Sequence, residues 1–188
     1  MLGFGKKKRL MGVRVAVLAA DGVEQIELTS PWKALHKAGA EVYLVSLRKG
    51  KIQAVNGLVP GKRIPVDATL DEVHPASFAA LLLPGGFMNP DLLRQNEKAR
   101  KFAASFARQQ KPIAAICHAP WLLASAGLLG GRTLTSWPGI QDDMRNAGAL
   151  WRDDAVVVDN NLLTSRGPQD IKKFNKAMVK HFDELVNA

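Results

Sequence analysis

The feature that most limits how this chain can fold is the alternation of short apolar runs with amphipathic segments. Five runs are rich in the β-branched and apolar residues that strands favour, and they occupy residues 13–19, 42–47, 80–83, 113–116 and 156–158. Several of them are almost continuously apolar, which is typical of a parallel sheet that is covered on both faces. Between the first two runs, Leu28, Trp32 and Leu35 have the spacing of one buried helical stripe. Strand, helix and strand in repeated order predict a doubly wound α/β sandwich, with helices on both faces of a mostly parallel sheet.

Further helices are predicted from start and stop signals. Asn96 can cap one helix, a second runs from Pro138 towards Gly148, and the last begins near Pro168. No internal repeat and no linker divides the sequence, so residues 12–188 are predicted to form a single domain. Residues 1–11 are expected to be a flexible basic extension.

Much of the positive charge is concentrated in that extension. Lys and Arg number 26 and Asp and Glu number 17, which gives a net charge of +9, and residues 6–9 supply four of the positive charges. Subtracting those four leaves +5, a mildly basic body. This body lacks the aromatics interleaved with basic residues that a nucleic-acid binding surface would use. We therefore expect no nucleic-acid partner.

The uncharged stretch 112–131 is long enough to cross a bilayer, but its residues argue against that. It contains His118, Pro120 and Gly127, and its periodicity changes partway, which indicates a buried strand followed by a buried helix. No signal-peptide cleavage site follows the basic run. The chain has one cysteine, which excludes an intramolecular disulfide framework and a multi-cysteine zinc site. We expect a cytoplasmic protein without a membrane segment.

The first candidate for chemistry is the turn Pro84-Gly85-Gly86, at the end of a predicted strand. Backbone N–H groups in such a turn can point into a crevice and stabilise an anion or an oxyanion, although the same sequence is also ordinary turn chemistry. No glycine-rich dinucleotide motif and no Walker lysine motif is present. The remaining histidines, His36, His74 and His181, lack metal-ligand spacing. No cofactor and no metal are therefore expected.

The stronger candidate is Cys117, which ends an apolar strand and precedes a helical segment. A nucleophile on a sharp strand-to-helix turn, a nucleophile elbow, needs small residues two positions away on either side, and Ala115 and Ala119 meet that need. A helix N-terminus would favour the thiolate and lower the pKa of the thiol. His118 follows directly and could carry protons. The alternative is a buried, inert cysteine that packs as a small hydrophobic residue.

Cys117-His118 is followed by a small residue and Pro120, and a Leu-Pro-Gly-Gly turn lies about thirty residues before it. In this pattern the chain resembles the PfpI-type intracellular cysteine peptidase family, part of the class I glutamine amidotransferase-like superfamily. The resemblance covers residues 13 to 182 through further matches in one order, at Ala20-Asp21-Gly22-Val23-Glu24, Ser136-Trp137-Pro138-Gly139-Ile140, Asn146-Ala147-Gly148, Val156-Val157-Val158-Asp159 and Thr164-Ser165-Arg166.

The resemblance implies a flavodoxin-like fold and a role for each of several residues. Cys117 is the implied nucleophile, His118 its acid/base partner, and Glu24 the buried carboxyl that hydrogen-bonds the sulfur. The backbone N–H groups of Gly86 and His118 are the implied oxyanion donors. Asp91 occupies the place of the third carboxylate, which orients the histidine and can come from a neighbouring subunit, so the implied state is a homodimer or a higher homo-oligomer with its site near the interface.

Two positions depart from the family pattern. The third acid is Asp91 rather than Glu, and the turn before it, Phe87-Met88-Asn89, is one residue longer. Ala119 replaces the more usual glycine after the Cys-His pair, and its Cβ narrows the expected oxyanion site. Trp137 follows a strand end and is a candidate for lining the crevice.

The function implied by the resemblance is that of a cofactor-independent cysteine hydrolase or lyase in stress response. Its substrates would be peptides, small reactive carbonyl compounds or glycated proteins, with peptidase, glyoxalase and deglycase activity as the three possibilities. The alternative is a redox-sensing or chaperone-like stress protein that uses an oxidisable Cys117. His118 and Asp91 favour the enzyme, because a sensor needs the thiolate but no complete proton relay.

Overall fold

The structure, a computed structural model, describes residues 9–187. Most of the expected basic extension lies outside the described residues. Leu10 is fully buried, and its N–H donates to the carbonyl of Ala38. The folded domain therefore begins before residue 12, where the sequence had placed its boundary.

The order of strands and helices agrees with the predicted α/β alternation. The strands are β1 (Arg14–Leu18), β2 (Val23–Glu24), β3 (Glu41–Ser46), β4 (Lys51–Asn56), β5 (Val59–Pro65), β6 (Ala68–Thr69), β7 (Ala80–Leu83), β8 (Ile113–Ile116), β9 (Thr133–Leu134), β10 (Leu150–Trp151), β11 (Val156–Asp159) and β12 (Leu162–Ser165). The helices are α1 (Gln25–Ala38), α2 (Met88–Gln95), α3 (Glu97–Arg108), α4 (Pro120–Ser125), α5 (Gln141–Asn146) and α6 (Ile171–Val186).

The central sheet has seven strands in the order β11-β12-β8-β7-β1-β3-β6. Every neighbouring pair is parallel except β11 and β12. This confirms the mostly parallel, doubly wound sheet. In such a sheet the carboxyl ends of the parallel strands meet at one edge, where ligands usually bind.

The two faces of the sheet are buried by different helices. Along β1, Val15 and Val17 belong to one core cluster and Ala16 and Leu18 to the other, as the period of two in a strand requires. The first cluster includes residues of α1 and α6, and the second includes residues of α3, α4 and α5. The helix predicted from the spacing of Leu28, Trp32 and Leu35 is α1, in which Leu28 and Leu35 are buried.

Several predicted helix starts and ends are present in the structure. The side chain of Asn96 accepts a hydrogen bond from the N–H of Ala99 and caps α3. Pro138 begins a short 3-10 turn that leads into α5, and Gly148 follows that helix with a φ of +88°. The uncharged stretch folds as β8 followed by α4, as predicted. Among the described residues, no helix combines the length and apolarity that crossing a membrane requires.

One feature outside the main sheet contributes to the site. A three-stranded sheet of β2, β4 and β5 forms a hairpin arm whose turn, Gly57-Leu58, is exposed.

Residues 9 and 187 meet at the opposite end of the domain, where the side chain of Asn187 donates to the carbonyl of Arg9.

Candidate active site

Cys117 stands on a sharp turn between β8 and α4. Its φ is +63°, which is uncommon for a residue with a Cβ and costs about 1 to 3 kcal/mol. The surrounding backbone holds this conformation, because Cys117 N–H donates to Ser165 O at 3.0 Å and Trp137 N–H donates to Cys117 O at 2.9 Å. This is the strand–turn–helix geometry that the sequence predicts.

His118 lies beside the thiol. Its Nδ1 is 3.2 Å from Cys117 Sγ, which is within hydrogen-bonding distance of sulfur. The imidazole is surrounded by rings: it stacks on Trp137 with centroids 5.7 Å apart, and it contacts Phe87 and Trp121 at 5.7 and 5.1 Å. Burial lowers the pKa of His118, so the ring is neutral at pH 7 and can accept a proton from the thiol.

The Gly85-Gly86 turn approaches the sulfur closely. A Cβ at Gly85 would collide with Glu27 Oε2 and would lie 2.6 Å from Cys117 Cβ, and a Cβ at Gly86 would lie 2.5 Å from the nitrogen of Glu24. Only glycine fits either position. The backbone N–H groups of Gly86 and His118 lower the pKa of the Cys117 thiol, so both groups lie near the sulfur. They are therefore placed to donate to an oxygen formed next to that atom.

Asn89, which no sequence motif singles out, fixes this turn. Its fully buried side chain donates through Nδ2 to the carbonyls of Pro84 and Gly85 and accepts from Ala20 N–H at 2.7 Å. It thereby ties the turn after β7 to the end of β1. An asparagine close behind a Gly-Gly turn was the available signal, because its amide can satisfy backbone groups that such a turn leaves unpaired.

The carboxyl beside the sulfur belongs to Glu27 and not to Glu24, which the family resemblance had suggested. Glu27 is fully buried in the first turn of α1, where its carboxyl lies close enough to Cys117 to influence the thiol pKa and its Oε2 accepts from Gly85 N–H at 2.9 Å. Its Oε1 has no hydrogen-bond partner among the described residues. Glu24 precedes the helix, and its Oε2 accepts from Gly57 N–H at 2.9 Å in the turn of the hairpin arm.

The charge state of the site also differs from the expectation. Burial raises the pKa of Cys117, and an ionised Glu27 raises it further, while the N–H groups of Gly86 and His118 lower it. The helix that follows, α4, has only six residues and contributes little dipole. Burial and the charge of Glu24 raise the pKa of Glu27 to about 8. Burial therefore opposes the ionisation of both the Cys117 thiol and the Glu27 carboxyl, whereas the motif had predicted a lowered thiol pKa.

Asp91 is not hydrogen-bonded to these groups among the described residues. It is in the first turn of α2, and its Oδ2 accepts from Gln95 Nε2 at 3.0 Å. No hydrogen bond joins it to His118 in residues 9–187. The segment expected to be a longer turn is the start of α2, and the helix directs Asp91 towards Gln95.

These groups open into a pocket of about 720 Å³. Cys117 and His118 lie in its wall together with Glu24, Glu27, Gly86 and the hairpin turn. Phe87, Trp121 and Trp137 supply an aromatic rim, so the interpretation of Trp137 as a crevice residue is confirmed. Among the described residues, no group of three or more His, Cys, Asp or Glu side chains could hold a metal ion.

Comparison with known proteins places this geometry in context. The DJ-1/PfpI family profile matches residues 13–181. Deglycase PfpI of Pyrococcus furiosus is 44% identical over 168 residues, which is 89% of this chain and 98% of the relative. A putative cysteine protease, YraA of Bacillus subtilis, is 42% identical over 166 residues, covering 88% of this chain and 96% of the relative. The crystal structure of Drosophila melanogaster DJ-1beta superposes with a TM-score of 0.84 at 29% identity, over 94% of this chain and 95% of that one.

Proposed function

We propose, because this chain belongs to the DJ-1/PfpI family, that it is a Cys117-dependent hydrolase or lyase that acts on reactive carbonyls, glycation adducts or peptides in stress response. The observation that carries the proposal is the 3.2 Å contact between Cys117 Sγ and His118 Nδ1 beside two convergent N–H donors. The relatives named deglycase and putative cysteine protease support the same reaction class.

The first chemical step is common to these substrates. His118 Nδ1 takes the thiol proton as Sγ attacks the carbonyl carbon, and the carbonyl electron pair moves onto oxygen. The N–H groups of Gly86 and His118 stabilise the oxygen as its charge develops, and His118 then returns the proton to it or to the leaving group. The neutral Glu27 carboxyl can donate to the sulfur and keep it oriented.

With methylglyoxal the product of this step is a hemithioacetal. Transfer of the proton from the former aldehyde carbon to the ketone carbon, with the hydroxyl proton moving to the ketone oxygen, converts the hemithioacetal to a thioester, and His118 is the base within reach. Water then hydrolyses the thioester to lactate and restores the thiol. The net change is the addition of one water molecule, so neither an oxidant nor a cofactor is consumed.

The test is lactate formation from methylglyoxal without glutathione, comparing the natural sequence with Cys117→Ala. We expect the variant to lose at least about a hundredfold in kcat/KM, since its nucleophile is absent. Urea unfolding of both proteins controls for folding. If Cys117→Ala still forms lactate at the original rate, the proposal fails.

A redox sensor is the second candidate, favoured by the buried Glu27 carboxyl and the N–H donors around the sulfur, which would also stabilise a sulfinate. Because the chain has one cysteine, titration of the free thiol after peroxide treatment reports Cys117 alone. Oxidation of this thiol without turnover on carbonyl, glycated or peptide substrates would favour the sensor.

We further propose that the chain forms a dimer or higher homo-oligomer in which Asp91 acts on His118 of a neighbouring subunit. The support is that Gln95 holds its carboxylate on α2 and that no hydrogen bond joins it to His118 of its own chain among the described residues. Asp91→Asn is expected to lower kcat/KM at least about tenfold and to shift the pH profile of kcat, because an orienting charge is lost. Asp142→Asn, which neutralises an exposed carboxylate on α5, is the matched control. An unchanged rate for Asp91→Asn would remove Asp91 from the mechanism.

A further inference from the structure

The strand β11 forms one edge of the seven-stranded sheet, and part of its backbone faces outwards. Cys117 N–H donates to the carbonyl of Ser165, so Ser165 of β12 points its backbone groups towards β8 and away from β11. Val156 lies opposite Ser165 in the antiparallel register, and Val158 is two residues further along. The N–H and C=O groups of Val156 and Val158 therefore point away from the sheet.

This edge is open. No turn, loop or side chain in the part of the chain that the structure describes supplies a hydrogen bond to the backbone of Val156 or Val158. The side chain of Val158 is 55% exposed. An exposed strand edge of this kind is a template on which another extended segment can pair.

A cavity lies beside the edge on each face of the sheet. The cavity on the α6 side has a volume of about 510 Å³, and the one on the β9 side has a volume of about 420 Å³. Successive side chains of a strand point to opposite faces, so each cavity would receive every second side chain of a segment that pairs with β11. The residues that line the first cavity are Asp154, Ala155, Val156, Lys173, Lys176, Ala177 and Lys180.

The charge of the first cavity is predominantly positive. Lys173, Lys176 and Lys180 are exposed, and their spacing places them along one side of α6. Two carboxylates oppose them: Asp154 lines the same cavity, and Glu184 lies 3.5 Å from Lys180 on the helix. Three ammonium groups thus face two carboxylates, of which one is already paired.

The second cavity adds a further cation. Arg152 is exposed and lines it, together with Thr133 of β9 and Asp154. Asp159 is also in its wall, but this carboxylate lies 3.4 Å from the guanidinium of Arg132. Both faces of the edge therefore favour acidic side chains over basic ones.

A second copy of this chain fits the edge poorly. Antiparallel pairing of β11 with β11 about a two-fold axis would keep α6 of both copies on the same face of the joined sheet. The lysines of the two helices would then lie side by side, and like charges placed so close repel. The complementary occupant is a segment of opposite charge.

We propose that the free edge of β11 is a docking site for an extended acidic segment of another protein, which pairs with Val156 and Val158 and places alternate carboxylates against the lysines of α6. The site shares no lining residue with the pocket of Cys117. The inference therefore stands apart from the proposed reaction, and the two can fail separately.

The probe is a short fluorescein-labelled peptide in which glutamate and valine alternate. Fluorescence anisotropy measures its binding to the full chain at low ionic strength, where attraction between exposed charges is least screened. The same peptide with lysine in place of glutamate should not bind. Binding of both peptides with equal affinity would contradict the charge preference.

A triple variant tests the lysines of α6. Replacing all three by glutamine is expected to weaken binding of the acidic peptide roughly tenfold, because three exposed ion pairs are lost. A matched variant removes three exposed lysines that lie outside both cavities, and it should bind like the natural sequence. Equal weakening in the two variants would mean that only net charge matters and would overturn the inference. The test substitutions are Lys173→Gln, Lys176→Gln and Lys180→Gln, and the control substitutions are Lys62→Gln, Lys98→Gln and Lys101→Gln.

N-methylation of the peptide tests the backbone pairing without altering the protein. In an added strand, the N–H groups of alternate residues face β11 and the others face solvent. One peptide is N-methylated at its valines and another at its glutamates. We expect one of them to lose at least about tenfold in affinity and the other to bind nearly as well as the unmodified peptide. Equal affinities of the two methylated peptides would overturn strand addition.

Val158→Pro blocks the edge from the protein side. Proline lacks the outward N–H, and it is tolerated on an edge strand because the pairing with β12 does not use that group. We expect at least about a tenfold loss of peptide affinity with little change in thermal unfolding, whereas Val158→Thr should bind normally. Sedimentation of Val158→Pro without peptide gives the last check, since a smaller oligomer than that of the natural sequence would assign the edge to a second copy and overturn the inference.

Discussion

Glu27→Gln is expected to stabilise the protein strongly above pH 8 and to change its stability little near pH 4. The pKa of Glu27 is raised from 4.5 to about 8 in the folded protein. Between these values the folded state binds more protons than the unfolded state, so the free energy of unfolding falls as pH rises. The stability associated with the neutral carboxyl is complete below pH 4.5 and is lost by about pH 8, a difference on the order of 5 kcal/mol.

Urea unfolding from pH 4 to pH 9 measures this effect. The curve of the natural sequence should decline across the interval more steeply than that of Glu27→Gln, because the amide does not titrate. Glu41→Gln, at an exposed position of β3, is the control and should follow the natural sequence. Parallel curves for the natural sequence and Glu27→Gln would contradict a buried, neutral carboxyl beside the sulfur.

Gly85→Ala is expected to abolish turnover and to destabilise the fold by several kcal/mol. The new methyl group would collide with Glu27 Oε2 and lie 2.6 Å from Cys117 Cβ and 2.8 Å from the carbonyl oxygen of Ile116. That carbonyl belongs to β8 in the centre of the sheet and cannot move away without disturbing its neighbours. Overpacking therefore forces apart the carboxyl, the thiol and the turn that together form the site.

Variants at two other glycines test whether the steric clash causes the loss of stability and activity in Gly85→Ala. Gly130→Ala adds a methyl group in open space and should be close to neutral, and Gly127→Ala adds one in open space at a φ of +71°, so it should lose only about 1 to 2 kcal/mol. Thermal unfolding and lactate formation should be measured on all three variants. A Gly85→Ala protein as stable and active as Gly130→Ala would mean that the turn is more loosely packed than described.

The sequence predicted the parts of this protein that depend on local patterns. Apolar runs and helical stripes fixed the layers of the sandwich, and a small-residue pattern around Cys117 predicted the elbow. Each of these signals is a spacing within a few residues, which the backbone converts directly into geometry.

The family motif alone was not enough to identify which carboxyl lies beside the sulfur. Glu24 is in the stretch that matches the family, but β2 ends there, and α1 begins at the next residue. Glu27, Pro31 and Leu35 are spaced four residues apart on the helix, and all three are buried. That spacing was a usable signal, because a glutamate in line with a buried proline and leucine must itself face the core.

The pKa of the Cys117 thiol and the position of the Asp91 side chain depend on residues that lie outside any short motif. The thiol pKa is set by how deeply Cys117 is buried and by Glu27, which is 90 residues away in sequence. The position of Asp91 follows from the start of α2 directly after the Gly-Gly turn, where a longer loop was expected. The burial of Cys117 and the start of α2 result from tertiary packing, so they could be determined only from the fold.

The meeting of Arg9 and Asn187 has a practical consequence for how the protein can be handled. Both residues lie at the end of the sheet where β1 begins, and the pocket lies at the end where β1 and β8 finish. A surface support or a fused reporter attached beyond either residue would therefore be held away from the pocket mouth. The same proximity favours a circular permutant in which a short linker joins these two points and new termini are opened elsewhere, at an exposed turn.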